Sequence, residues 1–209
     1  MVSIDKFGDF QIDVLREVGN IGAGHAATAL SKLIQKEIDM KVPQVKIITF
    51  DEIADAVGGA EELVVAIFLR VEGECPGNMF FIVDLGSARN LLKQLIGMEE
   101  SQEEMLSELE ISALHEIGNI LAGSYLSSLS DFTKLNLQPS VPALAIDMAG
   151  AILSYGLIEL CRAGDYVLTI DTAFLGGEQD VNGHFFLIPD PDFFEKLFVA
   201  LGVPLNGDY

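Results

Sequence analysis

Residues 13–33 (DVLREVGNIGAGHAATALSKL) and residues 112–132 (SALHEIGNILAGSYLSSLSDF) align at an offset of 99, with nine of 21 positions identical. The shared positions include Glu17/Glu116, Gly19/Gly118, Asn20/Asn119, Ile21/Ile120 and Gly24/Gly123, and Pro43/Pro142 fall at the same offset. A segment that recurs once, half a chain later, limits the fold severely. Whatever the first copy builds the second must build too, and two such units have to share a core.

A weaker match follows at an offset of 106, pairing residues 77–95 with residues 183–201. Each copy is a glycine, an apolar strand-like run, a turn and an amphipathic helix. The chain therefore reads as helix–strands–helix, twice, with repeat one at roughly residues 9–98 and repeat two at roughly 107–204 of a single domain spanning 1–209. Residues 98–111 join the halves, and Ser107 with Glu110 three residues later has the form of a capping box opening the second long helix. Residues 45–50, 63–71, 152–160 and 166–174 are rich in β-branched and aromatic side chains, with turns expected at 72–77 and 162–165, which favours antiparallel pairing. The expected fold is α+β: two pseudo-symmetric repeats pooling their strands into one antiparallel sheet, with two long exposed helices.

Half of the 209 residues are hydrophobic, enough for a sizeable core, and the formal net charge is -20. That balance argues against nucleic acid and anionic membrane surfaces, which recruit Lys and Arg. Cys75 and Cys161 have no metal-ligand spacing and read as small core hydrophobes in a reducing compartment. The N-terminus has acidic residues and no apolar signal region. The longest apolar stretch, residues 143–161, contains Asp147 and Glu159 and reads as a helix followed by a strand rather than a membrane span. A cytoplasmic protein is expected.

On an ideal 3.6-residue spiral, Asp13, Glu17, Asn20 and Gly24 share one narrow face. Val14, Leu15, Val18, Ile21, Ala26, Ala29 and Leu30 spread over the opposite face. The second helix repeats the stripe with Ser112, Glu116, Asn119 and Gly123. Asparagine is a poor helix-interior residue because its amide competes for backbone hydrogen bonds. Its recurrence at the same step, three residues after glutamate, in both copies, among many changed neighbours, therefore points to use rather than to solvated filler. Both asparagines are expected to face solvent, so their removal should leave stability unchanged. Gly19, Gly22 and Gly24 match neither phosphate-loop pattern and read as close-packing positions. His25, His115 and His184 have no shared ligand spacing. Asp190 and Asp192, flanking Pro191, read as helix-capping, while Pro43 and Pro142 read as stopping a helix or setting the following turn.

These constellations resemble the signature of the CheC/CheX/FliY family of phosphatases: Asp or Ser, three residues, Glu, two residues, Asn, twenty-two residues, Pro. It is met by Asp13–Glu17–Asn20–Pro43 and again by Ser112–Glu116–Asn119–Pro142. The resemblance extends over essentially the whole chain. It implies hydrolysis of the aspartyl phosphate on the response regulator CheY, with Asn20 and Asn119 orienting the attacking water and Glu17 and Glu116 pairing with the regulator's lysine. It further implies no cofactor of the chain's own, since the regulator brings its Mg2+. The doubled motif is similar to the CheC branch rather than to one-site CheX, and an end at Tyr209 is expected to leave no room for the further switch domain of FliY. By the same resemblance CheD is a partner, docking on residues 142–151 through Asp147. The alternatives are a non-catalytic module that binds the regulator or CheD, and a flagellar-switch component of the FliY type.

Overall fold

The computed structural model describes residues 8–49, 52–97, 105–157, 166–175, 180–190 and 192–203. Its two longest helices are α1 (Asp9–Ile34) and α4 (Glu108–Thr133), each of 26 residues. Their starts, their ends and their cap residues all stand 99 apart. Gly8 and Ser107 are the N-caps, and Gln35 and Lys134 close the C-termini in left-handed conformation at φ 55° and 59°. The expected capping box at Ser107 is present: the Ser107 N–H donates to Glu110 Oε2 at 2.7 Å and the Glu110 N–H donates to Ser107 Oγ at 3.3 Å. The Ser107 N–H, and next the Ser107 hydroxyl donating to the same Oε2, hold the Glu110 carboxyl below its ordinary value. In α1 the neutral Gln11 takes the equivalent place, accepting from the Gly8 N–H at 2.9 Å.

The strands are β1 (Asp39–Lys41), β2 (Val45–Thr49), β3 (Leu63–Gly73), β4 (Gly77–Asp84), β5 (Leu137–Pro139), β6 (Ala143–Met148), β7 (Tyr166–Leu175) and β8 (Val181–Pro189). All pairings are antiparallel, and the halves exchange strands. β1 and β2 of the first repeat pair with β7 of the second, while β5 and β6 of the second pair with β3 of the first. The centre is β4 against β8, where Phe80 lies opposite Phe186. Those two residues are 106 apart (186 − 80), the offset of the strand repeat, so the approximate twofold axis passes through their pair. The exchange explains why both halves are needed: each repeat supplies the edge strands of the other's hairpin.

β4 and β8 carry continuous apolar runs, residues 79–83 and 185–188, where both faces are covered. On one face α1, α3 (Leu85–Ile96), α4 and α6 (Phe193–Ala200) close over a core containing Leu30, Leu91, Leu121, Phe174, Phe185 and Phe198. On the other, α2 (Ile53–Ala56) and α5 (Ala149–Leu157) cover Val64, Phe80, Ile82, Phe186 and Ile188. Burying one such side chain stabilises by about 1.5–3 kcal/mol. α3 starts on Asp84, whose carboxylate accepts from the Ser87 N–H at 2.8 Å, and ends on Gly97 at φ 69°.

Three expectations need correction. Residues 143–161 do not run helix then strand: Ala143–Met148 is strand β6, and α5 follows, covering most of the expected strand at 152–160. Alternation of half-buried and exposed positions along β6 is the strand period, masked in sequence because the exposed positions other than Asp147 are themselves apolar. Pro43 and Pro142 stop no helix. Each sits in the break between two short strands, β1 and β2 or β5 and β6, where a residue without an N–H interrupts the ladder. Asp190 is no cap either: its carboxylate pairs with the Arg70 guanidinium, with the Arg70 Nη1 to Asp190 Oδ1 bond at 2.8 Å. Asp192 does occupy the N-cap position of α6, without a side-chain bond. The expected turn at 162–165, Cys161 and residues 98–104 of the joining segment lie outside the described residues; Cys75 is buried.

Candidate active site

The polar stripes emerge where the helical spiral puts them. Leu15, Val18, Ala26 and Leu30 are buried under α1, and Leu114, Ile117, Leu121 and Leu129 under α4. Glu17, Asn20, Glu116 and Asn119 are exposed on the outer faces, as are Asp13 and Ser112. Each Glu–Asn pair is three residues apart, so its carboxylate and carboxamide stand side by side. Next to the first pair, Arg16 bonds the Asp13 carboxylate at 2.7 Å; both side chains are about half exposed. The second helix replaces them with His115 and Ser112.

The asparagines differ in one respect that the sequence reading missed. The Val42 N–H donates to Asn20 Oδ1 at 3.1 Å, so Asn20 is exposed and tethered at once. The signal was available in the spacing. Pro43 breaks the strand after β1, so the Val42 N–H has no ladder partner and turns to the helix 22 residues back. Val42 itself is only 4% exposed and packs over Gly19, where an added β-carbon would lie 3.6 Å from the Val42 methyls. In the second copy, Val141 precedes Pro142 and is 90% exposed, and the Asn119 side chain has no hydrogen bond among the described residues. There the loop is tied away from the helix: the Ser140 N–H donates to the Arg70 carbonyl at 2.8 Å and the Arg70 N–H to Ser140 Oγ at 3.0 Å.

Under the stripes the helices meet through size exchange. A β-carbon at Gly22 would stand 2.8 Å from the Tyr125 ring, so glycine is what admits that tyrosine. The Tyr125 hydroxyl bonds Thr172 Oγ1 at 3.0 Å, and burial pushes its pKa up to about 12. His25 Nδ1 bonds Ser128 Oγ at 3.1 Å across the same interface. The close-packing reading thus holds for Gly22, is met only by ordinary contact at Gly19 and fails at Gly24, which like Gly123 has nothing within 4 Å; Gly118 is closely packed too, against Ile67.

Asp147 lies elsewhere. It is exposed on β6, opposite Val64 of β3, and its own Oδ1 accepts the Met148 N–H at 2.8 Å. His184 faces Asp171 at 2.8 Å in the β7–β8 hairpin, apart from both stripes. No cluster of potential metal ligands occurs among the described residues, and no helix among them is long and apolar enough to cross a membrane.

Comparison with known proteins adds to this geometry. The model of the CheC-like family matches residues 10–47 and 109–146, one match for each helix with its spaced proline. The CheY-P phosphatase CheC of Bacillus subtilis is 50% identical over 199 residues, covering 93% of this chain and 95% of that protein. The flagellar motor switch phosphatase FliY of the same organism is 28% identical over 144 residues, which is 68% of this chain but 37% of FliY. Among solved structures, Thermotoga maritima FliY superposes with a TM-score of 0.76 over 94% of this chain and 98% of that one, at 20% identity, a likeness of fold.

Proposed function

The chain belongs to the CheC-like family, and from that premise we propose that it is a hydrolase that removes the phosphoryl group from phosphorylated CheY in chemotaxis signalling. The observation that carries the reading is the relative named CheY-P phosphatase CheC, half identical over nearly the whole chain. The paired Glu–Asn stripes supply a chemistry that suits it. Hydrolysis of an acyl phosphate needs a water in line with the aspartate leaving oxygen. A carboxamide can accept a hydrogen bond from that water and donate one to a phosphoryl oxygen, and positioning of this kind is the main catalytic device in phosphoryl transfer.

In this reading Asn20 and Asn119 hold the water and no covalent intermediate forms on the phosphatase. Glu17 and Glu116 pair with a lysine of the regulator and set the helix in register. The Mg2+ belongs to the regulator, which reconciles a chain of net charge -20 with a phosphorylated target. The reaction is set in the cytoplasm. CheD is the proposed regulatory partner, received on the β6 edge through the exposed Asp147.

The test is phosphate release from phosphorylated CheY, with and without this chain, under single-turnover conditions. Acceleration that rises with phosphatase concentration is the expected result. Tight binding without acceleration would make the stripes a docking surface only.

A further inference from the structure

Gly24 and Gly123 stand four residues beyond Asn20 and Asn119, about 6 Å further along the same helix faces. Neither is there for the fold. Neither has positive φ, and a β-carbon on either would meet nothing within 4 Å. This separates them from Gly22, where the added carbon would lie 2.8 Å from Tyr125, and from Gly118, where it would lie closer still to Ile67. Glycine weakens a helix interior relative to alanine, so the chain carries two helix-weakening residues in open space, at equivalent places in both sites. Around them the copies have diverged, Gly22 to Leu121, His25 to Ser124 and Ala26 to Tyr125. Beside Gly24 the surface falls into an open groove of about 570 Å3 between α1 and the following turn, lined by Ala27, Thr28, Lys32, Lys36 and Ile38.

The geometry points to a role outside the free chain: Gly24 and Gly123 are positioning residues, bare stretches of helix on which backbone of the phosphorylated regulator lies flat, bringing its phosphoaspartate level with the neighbouring asparagine. This rests on the phosphatase reading and names the surface that sets the depth of docking. A side chain at either position would hold the regulator away from the helix by the thickness of that side chain. The carboxamide would then fall short of the water.

The variant Gly24→Gln/Gly123→Gln introduces a good helix former that fits the free chain, so its thermal midpoint should equal or exceed the parent's. Its kcat/KM for phosphorylated CheY should fall at least about tenfold, chiefly through KM, and Gly24→Ala/Gly123→Ala should fall less. A purely structural role would move the thermal midpoint instead. Calorimetry with beryllofluoride-activated CheY separates this inference from the reading beneath it. Parent binding with no acceleration of hydrolysis overturns the reading, and the seat is then judged by affinity, which the glutamines should lower at least about tenfold. Parent and variant within twofold of each other in affinity and in kcat/KM overturn the inference, and a parent that does not bind at all overturns both.

Discussion

Helices α1 and α4 have the same length, the same register and the same Glu–Asn stripe, yet they keep their asparagines differently. Over α1, the space above Gly19 is filled by Val42 together with Ile170, and the Val42 N–H thereby reaches Asn20. Over α4, the space above Gly118 is filled by Ile67 of β3, closely enough that only glycine fits. Val141, the counterpart of Val42, is left 90% exposed and its loop is held by Arg70 and Ser140. Ile67 and Ile170 stand in equivalent registers, opposite Leu144 and Val45, so what differs between the copies is how closely that isoleucine approaches the glycine beneath it and whether a valine shares the space. A duplicated motif does not fix a duplicated site. The loop after each helix, outside the signature except for its proline, sets how each carboxamide is held.

The largest effect tests what the two sites share. In the proposed reaction, replacing an oriented water by a free one costs on the order of a hundredfold or more per site. Asn20→Ala with Asn119→Ala should therefore abolish the acceleration, while each single variant keeps part of it. Full acceleration by the double variant in a phosphate-release assay would remove the asparagines from the mechanism.

The next breaks the symmetry at the sheet edges. β6 offers Asp147 to solvent, whereas its counterpart in β2 at the 99-residue offset is Ile48, and the exposed charge of that strand is Lys46. If CheD reads the β6 edge, Asp147→Lys should weaken CheD binding by at least about tenfold, about 1.4 kcal/mol, and Lys46→Glu should leave it alone. Equal losses in both variants, measured by calorimetry, would place the docking surface elsewhere.

Much of this arrangement was legible in the sequence, for physical reasons that also mark the limits. The long helices showed through spacing: Leu15, Val18, Ala26 and Leu30 repeat at helical period and are buried. Ser107 with Glu110 marked a helix start because that pair satisfies two orphan N–H groups locally. The β4–β8 centre followed from the second repeat. The strand exchange did not, since which edge strand pairs with which hairpin is decided by contacts between residues 64 to 136 apart in the chain. Residues 143–157 misled because an edge strand whose exposed positions, Asp147 apart, are Ala and Met carries no clear alternation. Asn20 misled in another way: the side chain itself gives no sign that a backbone N–H from a different element ends on it, and only the spacing to Pro43 carried that signal.

That tether gives the sites unequal weight in stability. Asn20→Ala leaves the N–H of the buried Val42 without its partner, at a cost of about 1 kcal/mol, and it loosens the β1–β2 link over α1. Asn119→Ala removes no bond among the described residues and puts a better helix former in its place, so its stability should be unchanged or slightly raised. Urea denaturation of the two single variants reads the difference. Equal midpoints would mean that the Val42 bond contributes nothing, and that the two asparagines are held alike in solution.

The smallest effect separates the helix starts. α1 opens on Gly8 with neutral Gln11, and α4 on Ser107 with Glu110, whose carboxyl is held below its ordinary value of 4.5, first by the Ser107 backbone N–H and then by its hydroxyl. A carboxyl with a lowered folded value binds its proton more readily in the unfolded chain. Its contribution is therefore fully present above the unfolded value and is lost as pH falls through the lowered one. A carboxylate in the first turn also meets the positive end of the helix dipole, an interaction of about 0.3–1 kcal/mol. Glu110→Gln turns the α4 start into a copy of the α1 start: the reciprocal bonds can persist, while the charge does not. At pH 7 the variant should be less stable than the parent by about that amount, and the gap should close as the pH is lowered below 4.5, when the parent's Glu110 takes up its proton. Gln11→Glu should do the reverse at α1, adding a gap that opens as pH rises through the same range, although Gly8 offers no hydroxyl and the gain should be the smaller. Urea midpoints at several pH values measure both. A Glu110→Gln gap that stays constant from pH 7 to the acid end would show that the charge at the α4 start contributes nothing and that only the shape of the cap matters.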